Sequence, residues 1–190
     1  MPPRPYLNTL HAVCAGSATP AQQALLDQAR QQVGFIPNMY ANMVNEPAVL
    51  STYLHGYSLF RQQSGLSSAE QEVTFLAISR ANGCDYCTAA HSMIADRVSK
   101  VPPATLAAIR QGHAIPDARL AALHALATEM ASTQGRPTTA TLAAFLNAGF
   151  EERHILHVIL ATAVKALSNF SNHAFATTLD ERFAAHAMPT

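Results

Sequence analysis

Hydrophobic and polar positions follow the period of a helix along almost the whole chain. Alanines are numerous, and alternating runs of β-branched residues, which would indicate strands, are few. Prolines, glycines and capping residues stand where helices begin and end. The pattern therefore predicts an all-α protein built as a helical bundle.

Breaks in this pattern give the boundaries of the predicted helices. Prolines at first-turn positions and the capping box of Ser67 and Glu70 open helices, and glycines close them. The predicted helices are 20–34, one from 37, 47–65, one from 68 to about 81, one from about 85, 103–112, 117–133, 139–148, 151–167 and 168–186.

A weak internal repeat accompanies these helices. An offset of 84 residues aligns Gly65 with Gly149, Leu76 with Leu160, Ala77 with Ala161 and Ala90 with Ala174. Under this offset, the cysteines at 84 and 87 fall on serines. The repeat would indicate a duplicated helical hairpin, and chance similarity between alanine-rich segments is the competing explanation.

Residues 72–91, with the sequence EVTFLAISRANGCDYCTAAH, carry the residues best suited to chemistry. The helical pattern stops at Gly83 and resumes at Asp85, so Cys84 lies near a helix start and Cys87 in its first turn. Two cysteines at this spacing can form a disulfide with little backbone movement. His91 follows four residues after the second cysteine and therefore lies on the same helix face. The segment predicts a thiol redox site.

The residues leave open which thiol is the more acidic. A cysteine reacts as a thiolate, which a nearby base, a cation or a helix N-terminus favours. Contact with His91 favours Cys87, whereas the helix N-terminus favours Cys84. Both assignments stand at this point.

Glu72 lies within VTFLAIS, a run that is apolar on every side and predicts a buried helix. A buried carboxylate requires a partner. An ion pair with Arg61 or Arg80, or a solvated helix face, would account for it without chemistry. We favour a pair with His91, direct or through water, that accepts a proton from a thiol.

The spacing Glu-x11-Cys-x2-Cys-x3-His resembles the alkylhydroperoxidase D branch of the carboxymuconolactone decarboxylase-like superfamily, and most closely its peroxidase-related subgroup. Two further segments resemble this subgroup, GFIPNMYANMVNEPAVL at 34–50 and NFSNHAFATTLDERF at 169–183. The resemblance extends over about residues 30–183. It implies a single domain over 1–190 with the all-α fold of that family.

The resemblance also implies a role for each motif residue. Cys87 would attack a hydroperoxide and become a sulfenic acid, and Cys84 would resolve it as a disulfide. Glu72 and His91 would relay protons. A dithiol reductant, either a protein or a small molecule, would then reduce the disulfide. Relatives are commonly trimers or hexamers, so we expect a homo-oligomer.

Tyr86 departs from the pattern of alkylhydroperoxidase D, which has a histidine immediately before the second cysteine. A tyrosine cannot act as a base near neutral pH, so we expect its ring to pack inward and its hydroxyl to meet polar groups. His173, with Asn169 and Asn172, is expected to line the site from the last segment. The alternative is that the asparagines satisfy backbone groups at a helix junction. The decarboxylases of the superfamily lack the cysteine pair, which argues against ring-lactone decarboxylation.

Composition and apolar length bear on the expected partners, location and cofactors of the protein. A net charge of zero and a pI near 7.1 give no basic surface for nucleic acid. The longest apolar stretch, residues 155–167, is too short to span a membrane and contains Lys165. Three cysteines and no apolar leader segment indicate a cytoplasmic protein. No haem, flavin or nucleotide motif is present, so no cofactor is expected.

Three classes of function fit these features. The first, which we favour, is a thiol-dependent peroxidase or dithiol–disulfide oxidoreductase with an antioxidant role. The second is a zinc-binding protein that uses Cys84, Cys87, His91 and Glu72, although three ligands within two helical turns strain tetrahedral geometry. The third is a helical oligomer whose thiols only sense oxidation.

Overall fold

Helices account for all the regular secondary structure in the part of the chain that the computed structural model describes, residues 4–14 and 16–189. No strand occurs in these ranges, so the predicted all-α fold is confirmed. The α-helices are α1 (Pro20–Val33), α2 (Asn38–Met43), α3 (Pro47–Gln63), α4 (Ser68–Ala81), α5 (Asp85–Arg97), α6 (Pro103–Gln111), α7 (Ala118–Ser132), α8 (Thr139–Asn147) and α9 (Glu152–Phe175). A 3-10 helix follows at Glu181–His186.

The predicted boundaries of the early helices are confirmed by their caps. Thr19 forms a capping box with Gln22 at the start of α1, and Ser67 forms one with Glu70 at the start of α4. Gly34 ends α1 with φ of 83°, a left-handed conformation that favours glycine. Local sequence signals therefore place these ends without help from tertiary contacts.

Helix α4 runs through the centre of the bundle, packed against α5, α7 and α9. Ten consecutive residues, 70–79, are buried, as the all-round apolar pattern predicts. Its small polar side chains are satisfied within the helix, since the Thr74 hydroxyl donates to the Glu70 carbonyl at 2.9 Å and the Ser79 hydroxyl to the Phe75 carbonyl at 2.7 Å. Glu72 is held in this buried helix.

The two predicted C-terminal helices, 151–167 and 168–186, are wrong. Helix α9 passes through this position without a break and ends at Phe175, followed by the C-cap residue Ala176, whose φ of 46° and ψ of 51° are left-handed. At the predicted break, the Ser168 hydroxyl donates to the Lys165 carbonyl at 3.2 Å, and the Asn169 side chain accepts from Asn82 at 2.9 Å. The helix therefore continues through both residues.

The continuous helix also contradicts the predicted repeat. A duplicated hairpin would need a turn at residues 166–168, the counterpart of the turn that separates α4 from α5. Residues 166–168 lie within α9 instead. The identities at an offset of 84 residues therefore do not reflect a second copy of the hairpin.

Residues 177–183, which we call the C-terminal segment, dock against α2 and α5. Asp180 accepts from the Asn38 backbone N–H at 3.2 Å and from the hydroxyl of Tyr86. The Phe183 ring meets the Tyr86 ring edge to face, with centroids 5.9 Å apart. The Asn42 side chain donates to the Thr177 hydroxyl at 3.0 Å. These contacts fix the segment beside the first turn of α5, where the cysteines lie.

Candidate active site

The two cysteines lie at the start of α5, as predicted. Cys84 is the N-cap residue and Cys87 is in the first turn, and both are free thiols with exposures of 1% and 2%. Asn172, from α9, donates through Nδ2 to the Cys87 sulfur at 3.3 Å and to the Cys84 sulfur at 3.8 Å. The Cys87 thiol contacts the Ser168 hydroxyl at 3.8 Å. Helix α9 therefore provides polar contacts to both sulfurs.

Glu72 is fully buried and joins two partners. One carboxylate oxygen accepts from Arg61 of α3, and the other is 2.8 Å from Nδ1 of His91. The favoured pair with His91 is thus direct, and of the two arginines considered, Arg61 is a partner while Arg80 is not. Arg61 also donates to the Tyr57 hydroxyl at 2.6 Å.

The pKa directions at this pair follow from burial and charge. Burial alone would raise the pKa of Glu72, but His91 and Arg61 outweigh it and hold this pKa below its usual value. Burial and the nearby charge of Lys165 lower the pKa of His91. The carboxylate is therefore ionised and the imidazole neutral near pH 7. Glu72 accepts at Nδ1, which leaves Nε2 of His91 as the unprotonated nitrogen.

Lys165 is the site residue that the sequence interpretation missed. It projects from α9, is 0% exposed, and its Nζ has no hydrogen-bond partner among the described residues. The ammonium lies 5.6 Å from the centre of the Phe75 ring. The sequence contained a signal for this residue. A lysine within the apolar stretch 155–167 is expected to be buried and to need a partner, for the same reason as Glu72 in its apolar helix.

The pKa values of the two thiols are shifted in opposite directions. Interaction with Cys87 and, to a lesser extent, burial raise the pKa of Cys84. Burial alone would raise the pKa of Cys87, but the hydrogen bond from Cys84 and the charge of Lys165 together hold it well below its usual value. Cys87 is therefore the thiolate of the pair. No hydrogen bond joins it to His91 within the described ranges.

A cavity of about 390 Å³ opens onto Cys87, and we call it the thiol cavity. Its wall is largely aromatic and apolar, and no carboxylate lines it among the described residues. The apolar wall includes Phe35, Met39, Tyr40, Tyr53, Tyr57, Tyr86, Met93 and Phe183. The ionisable groups that line it, besides the tyrosines, are Cys87, His91, Lys165 and Arg182. The cavity can therefore hold an apolar molecule against one thiol, one base and two cations.

The other two predicted site residues occupy different surroundings. The Tyr86 ring lines the thiol cavity, and its hydroxyl accepts from the Met39 backbone N–H at 3.3 Å and donates to Asp180, as expected for a packed tyrosine. The ring of His173 packs near Phe170, with centroids 6.4 Å apart, and does not line the cavity. The segment around His173 contributes Asn172 instead.

The four ligands of the zinc alternative do not form a metal-binding cluster. In residues 4–14 and 16–189, no group of three or more Cys, His, Asp and Glu side chains has the arrangement needed to hold a metal ion. Glu72 is occupied by Arg61 and His91. In the same residues, no helix is both long and apolar enough to cross a membrane.

Comparison with known proteins places this site in context. Residues 47–129 match the model of the carboxymuconolactone decarboxylase family, a segment that contains all four motif residues. No protein with a curated description matches the sequence.

Solved structures share the fold over nearly the whole chain. A peroxidase-related protein from Ralstonia eutropha JMP134, with an alkylhydroperoxidase AhpD core, is 21% identical with a TM-score of 0.77, over 91% of this chain and 92% of that one. A peroxidase-related protein from Silicibacter sp. TM1040 is 20% identical with a TM-score of 0.74, over 93% and 97%. The debrominase Bmp8, in complex with 2,3,4-tribromopyrrole, is 17% identical with a TM-score of 0.76, over 95% and 96%.

Proposed function

We propose that this chain is a thiol-dependent peroxidase, because residues 47–129 match the model of the carboxymuconolactone decarboxylase family and the chain has the alkylhydroperoxidase D-like fold. It would reduce organic hydroperoxides with the Cys84 and Cys87 dithiol, in an antioxidant role. The observation that supports this most directly is the reduced thiol pair, whose more acidic member faces the thiol cavity together with His91.

In the first step, the Cys87 thiolate attacks the terminal oxygen of the hydroperoxide. The S–O bond forms as the O–O bond breaks, which leaves Cys87 as a sulfenic acid and releases an alkoxide that takes up a proton. Lys165 lines the same cavity as the reacting sulfur and favours the negative charge that moves to the departing oxygen. The product is an alcohol.

In the second step, Cys84 attacks the sulfur of the Cys87 sulfenic acid. The disulfide forms and hydroxide leaves as water, after taking the proton that Cys84 loses. The unprotonated Nε2 of His91, with Nδ1 held by Glu72, is the base in the cavity for this transfer. A dithiol reductant then returns the pair to its reduced form.

The wall of the thiol cavity favours organic over inorganic peroxide. Tyr40, Tyr53 and Tyr57 form a continuous aromatic surface, with successive ring centroids 5.7 and 5.8 Å apart. Burying an apolar substituent against such a wall contributes about 25 cal/mol for each Å² removed from water. Hydrogen peroxide gains none of this contribution, so bulky hydroperoxides should have the lower KM.

Reductive dehalogenation is the second candidate, because an aromatic cavity facing a thiolate also suits a halogenated aromatic ring. The fold neighbour Bmp8 is a debrominase seen with 2,3,4-tribromopyrrole. Such a reaction would use the same dithiol, which supplies two electrons and one proton to the ring while the halogen leaves as halide. The disulfide and one further proton complete the balance.

Mass spectrometry after one equivalent of cumene hydroperoxide tests the proposal. Wild type should lose two hydrogens, and a sulfenic acid should be trapped by dimedone in Cys84→Ser but not in Cys87→Ser. Cys14→Ser, at an exposed cysteine, is the matched control and should behave as wild type. No oxidation by hydroperoxide, with bromide released from a brominated pyrrole instead, would replace the peroxidase with the dehalogenase.

The expected assembly and location are also proposals. We propose a homo-oligomer, a trimer or hexamer, in the cytoplasm, where cellular reductants keep dithiols reduced. Helix α9 offers a candidate contact surface, since Leu156, Ile159 and Phe170 are 68%, 47% and 55% exposed on one of its faces. Light scattering of wild type and Ile159→Lys measures the copy number and tests this surface.

A further inference from the structure

We propose that Lys165 is the counter-ion of the Cys87 thiolate, and that this pairing stabilises the reduced dithiol over the disulfide. The inference rests on the proposed redox use of Cys84 and Cys87. It assigns a role to a buried cation that neither the motif nor the sequence interpretation included.

The charges around the site leave Lys165 without an acidic partner. The fully buried carboxylate of Glu72 already accepts from Arg61 and His91. Lys165 has no carboxylate partner among the described residues. A fully buried ammonium is costly unless it faces an anion. The position of Lys165 therefore requires a negative charge inside the cavity.

Cys87 is the group that can supply this charge. It lines the same cavity as Lys165, in which no carboxylate is present among the described residues. The other groups that interact with Cys87 are Cys84, whose pKa is raised, His91, which is neutral, and the phenols of Tyr40, Tyr53 and Tyr86, whose pKa values burial raises above their usual range. None of them provides an anion near pH 7. The thiolate of Cys87 does.

The pairing has a consequence for the redox equilibrium. Reduction by a dithiol breaks the S–S bond and delivers two electrons, so that Cys84 takes a proton and Cys87 is released as a thiolate beside Lys165. The dithiol becomes a disulfide and releases its second proton to solvent. Oxidation removes the thiolate and leaves the ammonium unpaired. Lys165 thus shifts the equilibrium toward the reduced pair and makes the disulfide the stronger oxidant.

Ultraviolet titration of the thiolate tests the pairing without any peroxide. In a Cys14→Ser background, Lys165→Met should raise the pH midpoint of the Cys87 thiolate by about one unit or more, whereas Lys165→Arg should stay near wild type. Lys100→Met, at an exposed lysine, is the matched control and should not move it. Cys87→Ser should remove the transition. An unchanged midpoint in a folded Lys165→Met would overturn the proposal.

The redox part is measured by equilibration with a dithiol buffer of known potential. Lys165→Met should lower the equilibrium constant for reduction of the disulfide about tenfold, which corresponds to about 30 mV for a two-electron couple. Replacing a buried charge with an apolar side chain is compatible with folding, and circular dichroism checks it. If Lys165→Met does not fold, Lys165→Gln takes its place in both measurements.

These assays separate failure of this inference from failure of the peroxidase proposal. If the protein does not react with hydroperoxides, the titration and the redox equilibrium can still be measured and interpreted. If Lys165→Met leaves both unchanged but raises KM only for carboxylate-bearing hydroperoxides, Lys165 binds the substrate and not the thiolate, and the inference is wrong.

Discussion

Replacement of Glu72 by glutamine tests the buried charge pair most directly. Glutamine keeps the shape and one acceptor oxygen but puts an NH2 group in place of the other oxygen, so either Arg61 or His91 loses its acceptor. A hydrogen bond to a charged group is worth about 1.5–3 kcal/mol. Arg61 also loses its counter-charge, a loss that its 20% side-chain exposure partly relieves.

These contributions together predict that Glu72→Gln lowers the free energy of unfolding by about 2–4 kcal/mol. For a domain of this size, that loss corresponds to a fall in melting temperature of about 5–15 °C. Glu70→Gln is the matched control on the same helix. Its partner Arg119 is 43% exposed and glutamine preserves the capping box, so we expect a loss below about 1 kcal/mol.

The difference in stability between wild type and Glu72→Gln should depend on pH, because the pKa of Glu72 is lowered in the folded protein. A carboxyl group whose pKa is lower in the folded state stabilises the protein above its unfolded pKa, and the contribution disappears as pH falls through the folded value. The stability gap between wild type and Glu72→Gln should therefore be full near pH 7 and shrink below the ordinary value of 4.5. Urea unfolding at a series of pH values measures it. A gap under about 1 kcal/mol at pH 7, or one that does not shrink in acid, would refute the reasoning.

Three further substitutions test other contacts. Tyr86→Phe removes the hydroxyl bonded to Asp180 and should cost about 1–3 kcal/mol in urea unfolding while leaving dimedone trapping in a Cys84→Ser background unchanged; loss of trapping would give the hydroxyl a chemical role. Gly56→Ala should destabilise the protein by about 1–3 kcal/mol despite better helix propensity, because the new Cβ would lie 2.8 Å from a methyl group of Val164; a more stable variant would contradict this packing. Asn172→Leu removes the donor to both sulfurs and should slow peroxide oxidation about tenfold or more in stopped-flow measurements, and an unchanged rate would exclude this donor from the reaction.

Local signals in the sequence were sufficient for most of the fold. Caps such as Thr19 and Ser67 act through neighbouring backbone groups, so their effect can be read from adjacent residues. The break predicted at Ser168 failed because the partners that satisfy this part of α9 include Asn82, which is 87 residues distant from Asn169 in sequence. A contact between residues so far apart in sequence cannot be predicted from a local pattern.

The candidate site also combines features that local sequence indicates with one that depends on tertiary packing. The spacing within one helix was enough to place Cys84, Cys87 and His91 together, and the burial of Glu72 could be inferred from its apolar neighbours. Lys165 could have been flagged by the same argument about burial. That it faces Cys87, however, depends on how α9 packs against α5, which hydrophobic periodicity does not determine.

The burial of both sulfurs restricts how electrons can enter the protein. Exchange requires the attacking sulfur to approach in line with the S–S bond, and a protein donor cannot make that approach to cysteine residues that are 1% and 2% exposed while the C-terminal segment stays docked beside them. Its rate would equal the intrinsic exchange rate multiplied by the fraction of molecules in which this segment has opened. A small dithiol that fits the thiol cavity avoids this limit. Resupply of electrons, and not oxygen–oxygen cleavage, would then set the maximum turnover with a protein donor.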